Sequence, residues 1–241
     1  MIKWMYYRIL KIVLRLFGLS FNWYLTFYLQ CFYANPLVEI CLQRFRSKSS
    51  ALRFFAGYDI QHAVKEGDVV LDIGANIGAV SSRLLTLGFI VHAYEPDSRC
   101  VTFLKRRFSK IESSLIHIHH CAVGDHEGMI HLNYGFLTTE SNSILKDKPG
   151  TGGAGGEDVQ LCSIQSILNT HDYIPLIKID IEGAEYDVLD MMLTEEYLVK
   201  FGICLVEVHA NKIPDLQKKH EALVRRVQQL GLEDKVFLNW H

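Results

Sequence analysis

Several apolar runs in this chain end in acidic residues, and those ends are where chemistry could be done. The first reads Val69-Val-Leu-Asp-Ile-Gly-Ala-Asn-Ile-Gly78. Gly74 can turn tightly and lets a ligand approach the backbone. The two glycines are four apart, which is not the G-x-G-x-x-G spacing of a dinucleotide site, and Asp72 would repel a pyrophosphate placed there. Asp72 suits a ligand carrying positive charge. S-adenosylmethionine, with an ammonium and a sulfonium and no phosphate, fits this turn better than NAD or ATP does. Asp72 and Asn76 are expected to hold its methionine end, with Gly74 and Gly78 giving close approach. Glu95, before Pro96 and about twenty residues past the turn, can accept hydrogen bonds from both ribose hydroxyls; the alternative is a solvated acid ahead of a helix.

A second group lies further on. Asp180 and Glu182 are two apart and would share a face on a continuing strand, with Lys178 one step earlier. Ionisable groups at the mouth of a buried strand are costly unless used or paired, and Lys178 is expected to pair with one of the acids. Glu207 and His209 end another apolar run. Were the methyl of S-adenosylmethionine passed to an alcohol, the transfer would need in-line alignment and benefit from a nearby base. His209, which titrates in a suitable range, and Asp180 are the candidate bases, with Glu182 orienting the acceptor. Two other readings stay open. His209 could simply be satisfied by Glu207, or Asp180, Glu207 and His209 could hold a divalent metal that acidifies the hydroxyl, although no metal is expected. His117 and His119 share a strand face, but nothing nearby in the sequence completes a ligand set, so a polar face is the preferred reading.

These residues need a scaffold of alternating strands and helices. Val69–Ile73, being apolar and β-branched, suits a strand buried on both faces, with a helix over residues 79–85 after the turn. A helix is expected over 54–67, a second strand over 89–95, a helix over 101–108 and a third strand over 115–123. Strands at 129–134 and 159–164 flank a glycine tract, residues 149–156, read as a flexible connection or a lid. A fourth strand (176–181), a helix through Met192, a fifth strand (203–209), a helix (215–230) and a short run (235–239) complete the chain. The pattern is an α/β, mostly parallel, doubly wound sheet with an added N-terminal helical segment.

That segment, residues 1–50, is compositionally distinct from the catalytic domain expected over 51–241. Arg8, Lys11 and Arg15 share a helical face, and residues 16–38 carry no charge. It could cap the domain, lie on a membrane through residues 1–40, or span one. No small-residue cleavage site follows it. The chain has 241 residues, 49% of them hydrophobic, enough for one α/β domain with an appendage. A net charge of −2 provides no basic field for nucleic acid. The six cysteines form no C-x-x-C pair and read as reduced core residues, which fits a cytoplasmic setting.

The ordered blocks Asp72-Ile-Gly-Ala-Asn-Ile-Gly78, Glu95-Pro-Asp97, Ala122-Val-Gly-Asp125, Lys178-Ile-Asp-Ile-Glu-Gly-Ala-Glu185 and Val206-Glu-Val-His209 resemble the FkbM family of methyltransferases across residues 54–210. The resemblance implies a Rossmann-like class I methyltransferase fold using S-adenosylmethionine, usually for O-methylation of hydroxyls on sugars, glycans, polyketides or other metabolites. It also implies that Ala122 and Asp180 belong with the cofactor. Two departures stand out: Cys162-Ser-Ile-Gln165 replaces a Thr-Leu-Asp-like segment, and the sheet closes on one short strand rather than a hairpin. Two rival readings are a catalytically silent methyltransferase-like binding module tethered by residues 1–50, which has no need of the acids at 72, 95, 180 and 182, and an NAD enzyme, which the missing third glycine disfavours.

Overall fold

The structure is a computed structural model and describes residues 48–58, 60–135, 142–145, 151–211 and 213–240. The basic face and the uncharged run of the N-terminal segment lie outside the described residues, as do Pro149 and Gly150 of the glycine tract. The chain begins with α1 (Lys48–Phe54), α2 (Ile60–Ala63), β1 (Val69–Ile73), α3 (Ala79–Thr86), β2 (Ile90–Tyr94) and α4 (Ser98–Arg107). Next come β3 (Ile116–His119), β4 (Ala122–Gly124), β5 (Gly128–Gly135), β6 (Thr151–Ser163) and α5 (Ile164–Asn169). After β7 (Ile174–Ile179) follow α6 (Glu185–Met192), α7 (Glu195–Leu198), β8 (Phe201–Val206), a 3-10 turn at Pro214–Leu216, α8 (Gln217–Gln229) and β9 (Val236–Phe237).

Six strands pair in the order β3-β2-β1-β7-β8-β9, every pair parallel. This is the expected Rossmann-like, doubly wound arrangement, with the reversal of strand order between β1 and β7 opening a crevice at their carboxyl ends. Period-two alternation sends side chains to both faces. Leu71, Ile73, Ile177, Ile179, Cys204 and Val206 pack in one core with residues of α5, α6 and α8. Val70, Leu176, Ile203 and Leu205 pack in the other with residues of α1 to α4. Each fully buried Leu or Ile contributes about 1.5–3 kcal/mol, so the central strands carry much of the stability.

Four local expectations need correction. The helix expected over 54–67 is two short helices separated by a turn, in which Tyr58 N donates to Phe55 O at 3.0 Å; Gly57, with its low helix propensity, sits in that turn. The third strand divides, because β3 pairs with β2 whereas β4 pairs with β6 in a separate sheet of order β4-β6-β5. The glycine tract is largely strand rather than loop: β6 begins at Thr151 and pairs antiparallel with β5 around an irregularity. A Cβ at Gly156 would meet Leu132 O at 2.3 Å, so glycine is what lets that neighbouring backbone come close. Finally, β7 and β8 stop at Ile179 and Val206, before the acids rather than through them.

Both departures from the family pattern have structural answers. Ser163 caps α5, its hydroxyl accepting from Gln165 N at 3.2 Å. The short edge strand β9 is followed by Trp240, which is buried edge-on against Phe54 with centroids 5.9 Å apart. Among the described residues no helix is long and apolar enough to cross a membrane.

Candidate active site

The turn after β1 is shaped by what packs behind it. Gly74 has φ 77°, and a Cβ there would lie 1.8 Å from Asp180 O. The close approach that demands glycine is therefore made by the end of β7. Gly78, also at φ 77°, faces Leu104 and Phe108, so its lack of a side chain serves the packing of α3 on α4. Asn76 adopts φ 49°, a left-handed conformation asparagine tolerates. This points its backbone N–H at Glu95 Oε2 (2.7 Å), while Asp97 N donates to Oε1 (2.9 Å). Burial pushes the Glu95 carboxyl up to about 7, although both backbone donors pull it back towards the charged form.

Asp72 and Lys178 stand in register on adjacent strands. Both are buried, and Lys178 Nζ lies 3.2 Å from Asp72 Oδ1 and 3.6 Å from Asp180 Oδ2 and donates to Gly74 O at 2.6 Å. Burial opposes the ammonium charge, but Asp72 and Asp180 outweigh it and hold the group above lysine's ordinary value. Asp72 also accepts from the Ser81 hydroxyl. It thus sits behind the crevice wall, fixing the turn through Lys178.

The tips of β7 and β8 form a carboxylate cage. Glu182 (φ 56°) and Gly183 (φ 113°) turn the chain sharply after β7, and Ser143 Oγ donates to Glu182 O at 2.8 Å. His209, 0% exposed, places Nε2 3.3 Å from Glu182 Oε2, 3.7 Å from Glu207 Oε1 and 3.8 Å from Asp180 Oδ1. On its other side, Glu185 accepts from His209 N (2.9 Å) and Gly183 N (2.7 Å) and meets Nδ1 at 3.3 Å. Burial disfavours the imidazolium, yet contacts with the Glu182 and Glu185 carboxylates outweigh it and raise the ring to about 9. His209 was expected to titrate near its ordinary value; its carboxylate neighbours instead favour the imidazolium, and its service as the base is a question for turnover. Ligand atoms of Asp180, Glu182 and His209 lie within 4.8 Å of one another, so these three could close on a cation in exchange for the His209 proton.

The crevice is a cavity of about 560 Å³, within the range of small-molecule sites. Gly74, Asn76, Glu95, Ala122, Asp180 and Glu182 line it; Asp72, Gly78 and His209 do not. Sequence reasoning passed over three functional candidates. Glu207, named only as a metal ligand or a partner of His209, is on the wall, and so are Asn142 and Ser143, which arrive from a stretch with no periodic signal. Asn142 Nδ2 donates to Asp97 Oδ2 at 2.6 Å, so the 142–145 segment bridges the ends of β2 and β7. Glu185 was visible in the Glu-Gly-Ala-Glu block, but its role beneath His209 depends on contacts made across the fold.

No curated protein sequence matches the chain significantly. Solved structures similar to it include a precorrin-6y C5,15-methyltransferase from Geobacter metallireducens, at 11% identity and TM-score 0.39 over 74% of this chain and 71% of that one. A candidate RNA methyltransferase from Pyrococcus horikoshii matches at 12% identity and TM-score 0.33, over 73% of this chain and 68% of that one. A candidate S-adenosylmethionine-dependent methyltransferase from Methanococcus maripaludis matches at 12% and 0.34, over 78% and 85%. The family profile described as the methyltransferase FkbM domain matches residues 72–233, more than half of the chain, and the chain therefore belongs to the FkbM methyltransferase family.

Proposed function

We propose that the protein transfers a methyl group from S-adenosylmethionine to a hydroxyl of a sugar, glycan or other small metabolite. The observation carrying this reading is that Glu95 and the Asp180–Glu182–Glu207 cage open onto one cavity. Glu95 is anchored by two backbone N–H groups, so its remaining lone pairs are set for a ribose diol. Ala122 offers a small apolar wall for the base, and the excess of carboxylates suits a cationic ligand. The residues present fit the cofactor, which when bound supplies an electrophilic methyl on a positively charged sulfur.

The chain's own part is positioning and proton transfer. Asp180 accepts the proton of the acceptor hydroxyl as its oxygen attacks, and Glu182 and Glu207 hold neighbouring hydroxyls. His209 is a positioning residue: as an imidazolium it holds the Glu182, Glu207 and Asp180 side chains apart from one another's repulsion. Lys178 plays the same part between Asp72 and Asp180. Residues 1–40 carry the charge pattern for peripheral membrane contact, a reading that co-sedimentation of the full chain with anionic vesicles would test.

Calorimetric titration of S-adenosylmethionine comes first, with NAD for comparison. Saturable binding weakened at least tenfold in Glu95→Ala supports the cofactor site; a folded protein that binds no S-adenosylmethionine overturns it. Release of S-adenosylhomocysteine across a panel of hydroxylated acceptors then reads turnover. If His209 positions rather than abstracts, the rate does not climb as pH rises through about 9. A rate that climbs there and flattens in His209→Gln restores His209 as the base.

A further inference from the structure

The outer edge of the sheet holds a second set of histidines, well separated in function from the cage. His92 on β2 and His117 on β3 are paired in register, and His119 follows two residues on, so all three rings share one face. The His92 ring lies 4.5 Å from that of His117 and 5.2 Å from that of His119, and its Nδ1 is 3.2 Å from His119 Nε2. His171, beyond the end of α5, sets its ring edge-on to His92 at 5.2 Å. The local sequence around β3 could not supply further imidazoles; the fold brings them alongside from two other elements.

We propose that His92, His117 and His119, with His171 as a fourth ligand, form a binding site for a borderline transition-metal ion such as Zn²⁺, Ni²⁺ or Cu²⁺. A tetrahedral ion bound at about 2.0–2.1 Å holds its ligand nitrogens roughly 3.3 Å apart, close to the spacing between His92 Nδ1 and His119 Nε2. Of the four, only His92 and His119 hold ring nitrogens in close contact in this structure, so binding requires exposed His117 and half-buried His171 to turn inward. An all-imidazole set selects Zn²⁺, Cu²⁺ or Ni²⁺ and disfavours Mg²⁺ and Ca²⁺, which want oxygen ligands. The ion would tie the edge strand β3 to β2 and to the segment after α5. Because the His119 ring stacks on Tyr94 at 4.3 Å and Tyr94 lines the cavity, it would also brace one cavity wall from behind.

The test uses the full chain freed of metal by chelation, titrated with ZnCl₂ alone and followed by calorimetry, with Cu²⁺ electron paramagnetic resonance as a second readout. The expected result is one equivalent of Zn²⁺ whose affinity falls at least tenfold in His92→Ala and in His117→Ala. The Cu²⁺ spectrum should show coupling to at least three nitrogens. His117 is exposed, so His117→Ala keeps the fold and decides the matter if His92→Ala does not. The same titration in Glu182→Gln, which disables the carboxylate cage, should retain that equivalent. Zn²⁺ binding unchanged by both histidine substitutions, binding lost only in Glu182→Gln, or no binding at all overturns the proposal.

Discussion

His92 lies within the parallel sheet and His209 just beyond the end of its strand β8, yet the two regions treat an imidazole in opposite ways. At the tip of β8, His209 is enclosed by Glu182, Glu185, Glu207 and Asp180, and its ring is raised to about 9 despite burial. At the sheet edge, burial first and then the neighbouring rings of His117, His119 and His171 push His92 down to about 4. Burial opposes the charged form in both places, so the neighbours decide the outcome. The cage fixes a cation in place, which suits electrostatic positioning. The edge keeps the His92 ring neutral, and a neutral imidazole is the form that coordinates metals.

The sharpest way to break the contrast is to remove the group beneath His209. Glu185→Ala leaves the His209 and Gly183 N–H groups without their acceptor and the imidazolium without a buried counter-charge. Breaking a buried pair from one side costs about 3–5 kcal/mol, which a urea midpoint should register, and Glu185→Gln should cost less because it keeps an acceptor. A full-length variant as stable as the parent would show that the cage does not depend on this contact.

The pH dependence of stability sharpens the comparison. The folded state raises His209 above its unfolded value, so the stability it contributes is fully present below about 6.5 and is lost as pH rises through about 9. His92 is depressed, so its contribution is present above about 6.5 and is lost as pH falls towards about 4. The two effects meet near the ordinary imidazole value. Urea midpoints across this range should therefore fall on both sides, with His209→Gln flattening the alkaline side alone. The smallest effect is expected at His120, exposed beside the cluster with its ring near Pro96 O at 3.0 Å. His120→Ala should change stability by no more than about 0.5 kcal/mol and leave Zn²⁺ affinity as it was. A larger loss would extend the edge cluster to include it.

Much of this protein was already legible as sequence, for a local reason. Apolar β-branched runs, glycine turns and helical periodicity each depend on residues a few positions apart, so β1, α3, β2, β7 and α8 stood close to their expected places. The ends of those runs marked Glu95, Asp180 and Glu182, because strand ends in this topology face the crevice. Tertiary structure decided whatever depends on neighbours distant in the chain. It put Asp180 O against Gly74, took Asp72 off the wall by pairing it with Lys178, and carried β4 into a second sheet. It also changed the chemistry assigned to histidine. Residue type and spacing gave His209 an ordinary imidazole and His117 no ligand partners, whereas folding surrounded the first with carboxylates and brought His92 and His171 to the second. An imidazole's proton affinity is set by charge and solvent within a few ångströms, and in this chain those few ångströms are crossed by segments 24 to more than 50 residues apart.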